Sequence, residues 1–138
     1  MKKKVCNLIV AILLVVALCC SVYYFTVASQ RAKTIERSFL GEVSFTIQRL
    51  EGYKESQEEA EFQTALSHIY CAYIQLGMMS QDLLIVQNSM SFHDLWNKGL
   101  FYPEEFKEDL DEIIQAMKLI LGDSDFNDPN AAMALKMF

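Results

Sequence analysis

The chain is 138 residues long, 52% hydrophobic and 22% charged, and the apolar share is concentrated at its N-terminus. That composition excludes a wholly disordered chain, a basic nucleic-acid-binding protein and a multidomain enzyme. Beyond Ala28 lie 110 residues that hold all 18 acidic side chains but only 9 of the 12 basic ones, a net charge of −9. Such a charge repels phosphates, so no nucleic-acid partner is expected.

Lys2, Lys3 and Lys4 precede an uncharged stretch from Val5 to Ala28. As a helix it rises roughly 36 Å, enough to cross a hydrocarbon core of about 30 Å with some tilt. Tyr23, Tyr24 and Phe25 near its far end suit the headgroup level, and the three lysines mark the near end as cytoplasmic. The expected topology is therefore a single span with the N-terminus inside and the remainder extracytoplasmic, in contact with membrane lipid through residues 5–28. The competing reading is a signal peptide cut after Ala28, where Thr26 and Ala28 resemble a small-residue cleavage pattern. Its apolar region usually spans about 7 to 15 residues, shorter than this one. Leu18 before Cys19 does not fit a lipoprotein signal, and no pilin-like leader is formed.

An extracytoplasmic space favours disulfides, yet beyond Ala28 only Cys71 is present, so no intramolecular bridge forms there and the fold rests on its apolar core. Set among Ile69, Ala72 and Tyr73, Cys71 is expected to be a small buried hydrophobe.

No linker, repeat or low-complexity tract interrupts the remainder, and helix signals divide it. Ile35, Phe39, Leu40, Val43, Ile47 and Leu50 recur at helical spacing, and Gly52 with Tyr53 predicts a left-handed cap ending the first helix near Glu51. Ser56 and Glu59 have the form of a capping box, opening a second helix from Ser56 to Asn88. Phe62, Ala65, Ile69, Ala72, Leu76, Met79, Leu83 and Val86 lie on one face of it, widened by Leu66, Tyr70, Tyr73 and Leu84. Such a helix measures roughly 50 Å against about 35 Å for Ser29–Glu51, so either Gly77 interrupts it or the first helix leaves the bilayer at a slant.

Ser91 and Asp94 form a second capping pattern, with Met90 and Leu95 as a hydrophobic staple, and Gly99 ends this short third helix. Pro103 opens a fourth, with Phe106, Leu110, Ile113, Met117 and Ile120 on its buried face and Gly122 as its end. A last short helix is expected from Asp128 to Phe138. The predicted fold is all-α: a transmembrane helix (1–28), an up-down antiparallel three- to four-helix bundle (29–122), and an acidic turn with a short helix (123–138).

Chemical motifs are sparse. His68 and Cys71 share a helical surface, but no second pair of metal ligands accompanies them. His93 and Asp94 have the residue types of a base and its orienter, without a nucleophile motif. Asp123, Asp125 and Asn127 resemble the start of a calcium loop, whose turn glycine and closing glutamate are replaced by Asp128 and Ala134. The acids of residues 104–112 have the pattern of a solvated face. No enzyme, cofactor or metal is therefore expected.

The expected function is protein–protein interaction by a membrane-anchored helical bundle, with another protein or a second copy as partner. Phe62, Ile69, Leu76, Met79, Leu83 and Val86 are its candidate interaction face, and Trp96, Phe101 and Tyr102 are candidate membrane-proximal aromatics. The alternative is a small-ligand-binding bundle, with a pocket lined by Met78, Met79, Met117 and the tyrosines.

Overall fold

Apolar periodicity and helix-terminus chemistry account for most of the elements in the computed structural model. It describes residues 2–79, 83–87, 89–122, 126 and 128–130, with side chains from Ile9 onward apart from those of 87, 89 and 90. Among the described residues there are six helices and no strand: α1 (Lys2–Ser56), α2 (Glu59–Leu76), α3 (Leu84–Gln87), α4 (Ser89–Phe101), α5 (Pro103–Glu108) and α6 (Leu110–Gly122). The chain divides into two units, Met1–Thr34 and Ile35–Phe138.

In the first unit, α1 is long and apolar enough to cross a membrane. Its large side chains from Ile9 to Phe25 are exposed. The hydroxyls of Ser21 and Thr26 donate to the carbonyls of Ala17 and Val22, at 2.9 and 2.8 Å, so even these polar groups are satisfied within the helix. Spanning segments require that internal satisfaction.

In the second unit one apolar core gathers Phe39, Val43, Ile47 and Leu50 from α1, Phe62, Leu66, Ile69 and Leu76 from α2, Phe92 and Leu95 from α4, and Ile113, Met117 and Ile120 from α6. Polar contacts at its edges give the helix directions. Arg49, Glu42 and Ser38 of α1 meet Glu61, His68 and Gln75 of α2 in descending against ascending order, so the two run antiparallel. Tyr70 and Tyr73 of α2 meet Trp96 and His93 of α4, also in opposite order. Lys54 and Glu51 of α1 pair with Asp111 and Lys118 of α6 in the same antiparallel sense.

Several expected boundaries are corrected. α1 does not stop at Glu51 but continues to Ser56, because Tyr53 is drawn into the core. The left-handed residue is Gln57, φ 59°, whose N–H donates to the Tyr53 carbonyl at 2.7 Å. Ser56 therefore ends α1, and its hydroxyl donates to the Gly52 carbonyl at 2.9 Å; no side chain caps α2, whose N-cap is Glu58.

The expected Ser56–Asn88 helix is interrupted at Gly77, one of the two alternatives its excess length left open. α2 ends at Leu76, and the N–H groups of Met78 and Met79 turn back onto the carbonyls of Gln75 and Leu76, three residues earlier, at 3.0 and 3.1 Å. A helix of about 27 Å replaces one of about 50 Å, which removes the expected overshoot. Ile85 and Val86 enter the core from α3 instead, with the Ile85 N–H donating to the Phe126 carbonyl at 3.3 Å.

Ser91 lies inside α4 rather than at its start, and Gly99 is internal because α4 continues to Phe101. Pro103 does open a helix, but the expected Pro103–Gly122 helix is divided at Asp109 into α5 and α6. The calcium-loop residues Asp123, Asp125 and Asn127, and nearly all of the last expected helix, lie outside the described residues.

Candidate interaction surface

The six residues expected to form an interaction face are held in or against the core. Phe62, Ile69 and Leu76 are fully buried and Val86 nearly so, while Met79 and Leu83 pack against the edge. Burying them stabilises this chain itself, by about 1.5–3 kcal/mol for each fully covered large side chain. An association through that face would have to open the core.

Apolar exposure lies elsewhere, on the outer side of α2 and in the turn that follows it. Tyr70, Ile74 and Met78 are 42%, 40% and 62% exposed. Ser67 and Cys71 sit beside them at helical spacing, exposed as well. On one flank the Phe45 ring of α1 stacks on His68, with centroids 5.4 Å apart. On the other flank Trp96 of α4 lies against Tyr70 at 4.9 Å. Trp96 is half-buried and packed against the core, so of the three candidate membrane-proximal aromatics only Phe101 and Tyr102 are largely exposed.

The sequence contains a signal for this surface in what it lacks. No Asp, Glu, Lys or Arg occurs from Phe62 to Met79. A helix with one face in a core usually carries its charges on the other.

The titratable groups nearby make a packed edge. His68 Nδ1 donates to Glu42 Oε2 at 2.6 Å, tying α2 to α1. Cys71, expected to be buried, is exposed. Its thiol is nevertheless pushed above its ordinary pKa, first by partial desolvation and then by the negative charge of Glu42. A raised pKa lowers the thiolate fraction, which opposes nucleophilic chemistry. Among the described residues no three His, Cys, Asp or Glu side chains are grouped to hold a metal ion.

His93 and Asp94 do not form a base and its orienter. Asn97 Nδ2 donates to His93 Nδ1 at 3.1 Å, whereas Asp94 stands 3.6 Å from the same nitrogen, beyond hydrogen-bond reach. The ring instead packs against Tyr73, with centroids 5.2 Å apart.

The pocket expected among the methionines is not assembled: Met117 is buried in the core, Met78 is exposed, and Met79 lies at the core edge. A surface cleft of about 340 Å³ lies instead between the end of α1 and α5–α6, lined in part by Tyr53, Lys54, Glu104, Lys107 and Asp111. Its charges are largely engaged with one another. Lys107 reaches Glu59 and Glu104, each at 3.3 Å, and its Nζ lies 5.4 and 5.1 Å from the ring centroids of Tyr53 and Phe62. Lys54 is bound to Asp111 at 2.5 Å.

The remaining acids of this region follow the same pattern, with Asp109 held by Lys98 at 2.6 Å and Glu105, Glu108 and Glu112 exposed. Comparison of the chain with protein-family models, with curated proteins and with solved structures gave no match.

Proposed function

We propose that this chain is a single-pass membrane protein, N-terminus cytoplasmic, whose extracytoplasmic part is an up-down helical bundle that binds another protein. In that role it is a subunit, adaptor or sensor-like module of an envelope assembly. The observation that carries the anchor is the unbroken apolar exposure of α1 from Ile9 to Phe25, reaching 72% at Tyr24 and 79% at Phe25. Exposure on that scale is costly in water and favourable in lipid. The orientation follows from Lys2, Lys3 and Lys4 on one side and an acidic remainder on the other.

The bundle reading is supported by the antiparallel pairings of α1 with α2, α2 with α4 and α1 with α6, around one core. Binding rather than catalysis is favoured by side chains engaged in structural contacts: His68 is held by Glu42, His93 is packed on Tyr73, and the thiol of Cys71 is raised in pKa. A ligand-binding role finds less support, since the methionines proposed to line its pocket are dispersed.

The test is fractionation of full-length protein carrying a C-terminal tag. The protein is expected to remain in the membrane pellet after an alkaline wash and to leave it with detergent, its tag open to protease only from the extracytoplasmic side. Release into buffer without detergent overturns the reading. A cellular mass matching a chain that starts near Ser29 replaces the anchored form by a secreted one.

A further inference from the structure

We propose that Arg31 and Lys33, with Arg37 close by in the sequence, bind anionic phospholipid headgroups of the leaflet at the Ala28 end of the span. A lipid partner goes beyond the protein-binding role proposed above, and it rests on the membrane-anchor part of that reading. All three side chains are exposed. Among the described residues none of the three forms an ion pair, whereas Arg49, Lys54, Lys98, Lys107 and Lys118 each hold a carboxylate within 3.3 Å. Acids are plentiful in this chain but not here. Residues 29–37 carry three basic and one acidic side chain, a net charge of +2, against six and 17 in residues 38–138, a net charge of −11.

Unpaired cations call for an anion, and position selects which one. Arg31 and Lys33 lie three and five residues beyond Ala28 on α1, a rise of roughly 5 and 8 Å, at the depth of a headgroup layer about 5–7 Å thick. Helical Cα–Cβ bonds tilt towards the N-terminus, so both side chains lean back over the span, and their long stems snorkel to the phosphates. The two are about 200° apart around the helix axis. A protein docked on one side would meet one of them, whereas a headgroup layer surrounds the helix and meets both. Attraction to an anionic surface gives roughly a five-fold gain in binding per Lys or Arg. The ligand chemistry is thus a phosphate monoanion, and its source is the lipid beside which the span already holds these side chains.

The test uses full-length protein with Lys2, Lys3 and Lys4 changed to Gln, so that the cations at the other end of the span do not contribute, reconstituted in bilayers with spin-labelled lipids. Lipid in contact with the protein is expected to be enriched severalfold in phosphatidylglycerol over phosphatidylcholine at low salt, and the enrichment to fall towards parity at high salt. Arg31→Gln combined with Lys33→Gln is expected to remove most of it, and Arg37→Gln added to these to remove more. The charge-conserving pair Arg31→Lys and Lys33→Arg keeps it, with helical circular dichroism unchanged in every variant. Absence of any preference for phosphatidylglycerol overturns the proposal, as does a preference that survives in the Gln variants. Competition by inorganic phosphate at constant ionic strength separates the sources: an undiminished lipid preference supports the proposal, and its abolition assigns the cations to a soluble anion and overturns it. An acidic protein that co-purifies with the chain and is lost in the Gln variants, while lipid preference is unchanged, also overturns it. A chain that does not enter bilayers removes the anchor reading and the proposal with it, whereas the other failures remove the proposal alone.

Discussion

Gly99 of α4 packs directly against Leu66 of α2, so closely that a β-carbon at position 99 would overlap Leu66 Cδ2 and also lie 3.1 Å from Phe106 Cδ2. The glycine is needed for closeness, not for a left-handed backbone, since no glycine here has a positive φ. Its place inside α4 costs helix propensity, about 1 kcal/mol relative to alanine. Close packing of α2 on α4 offsets that cost.

Gly99→Ala therefore removes an intrinsic weakness of α4 and still destabilises the protein. Overpacking of this kind costs about 1–3 kcal/mol, and the Leu66 side chain must move to relieve it. A denaturant melt is expected to show a lower midpoint for Gly99→Ala. Combining it with Leu66→Ala should recover part of the clash while introducing a cavity, so the two effects are non-additive. A midpoint raised by Gly99→Ala would show that helix propensity outweighs the contact.

Lys107 fastens α5 to α2. Burial pulls its pKa down, but hydrogen bonds to Tyr53, Glu59 and Glu104 together outweigh that and push it up to about 12. A raised lysine pKa contributes stability that is whole below the unfolded value, near 10.4, and is lost as pH rises through the folded value. The urea midpoint of the native chain is thus expected to fall more between pH 10.5 and 12 than that of Lys107→Met, with the two curves converging at the alkaline end. Parallel curves across that window would contradict the assignment.

Glu59 answers at the acid end. Its carboxyl is held below its ordinary pKa, first by the hydrogen bond from Gln63, at 3.1 Å, and against a small desolvation in the opposite direction, with Lys107 adding to the lowering. Stability from Glu59 is present above the ordinary carboxylate range and is lost as pH falls through the depressed value. Glu59→Gln is expected to flatten the acid limb of the stability profile slightly, by well under 1 kcal/mol for so exposed a group. An unchanged acid limb in that variant would remove the contribution.

Glu42 and His68 join α1 to α2 at a half-buried edge, beneath the ring of Phe45. Their coupling in a double-mutant cycle, using Glu42→Ala and His68→Ala, is expected to be about 0.5–1.5 kcal/mol at neutral pH, in the range of a net hydrogen bond. Independent, additive losses would mean that the two side chains are neighbours without being partners.

Cys71 is exposed but raised in pKa by desolvation and by Glu42. With Cys6, Cys19 and Cys20 replaced by Ser, alkylation by a small maleimide should go to completion without denaturant, yet more slowly than for a free cysteine at the same pH. Glu42→Gln should accelerate it. A thiol that reacts only after unfolding would place Cys71 inside the core.

The sequence by itself determined the all-helical character, the apolar N-terminal segment and the buried faces of α1 and α6, because these follow from local composition and from a 3.6-residue period. Pro103 likewise marked a helix start through its fixed φ alone. Helix ends at Gly52 and Gly99 were misleading, since a glycine permits a stop without imposing one. Tyr53 prolonged α1 by entering the core, and Leu66 claimed Gly99 as a contact.

Only the tertiary structure decided which of the apolar stripes of α2 is used internally. Periodicity reports that Ile69 and Ile74 are both apolar. The neighbours that bury Ile69 and leave Ile74 partly in solvent come from other helices, far away in the chain, and no local pattern encodes their arrival. The placement of Met117 in the core and Met78 in solvent has the same origin: burial is a property of the assembled helices.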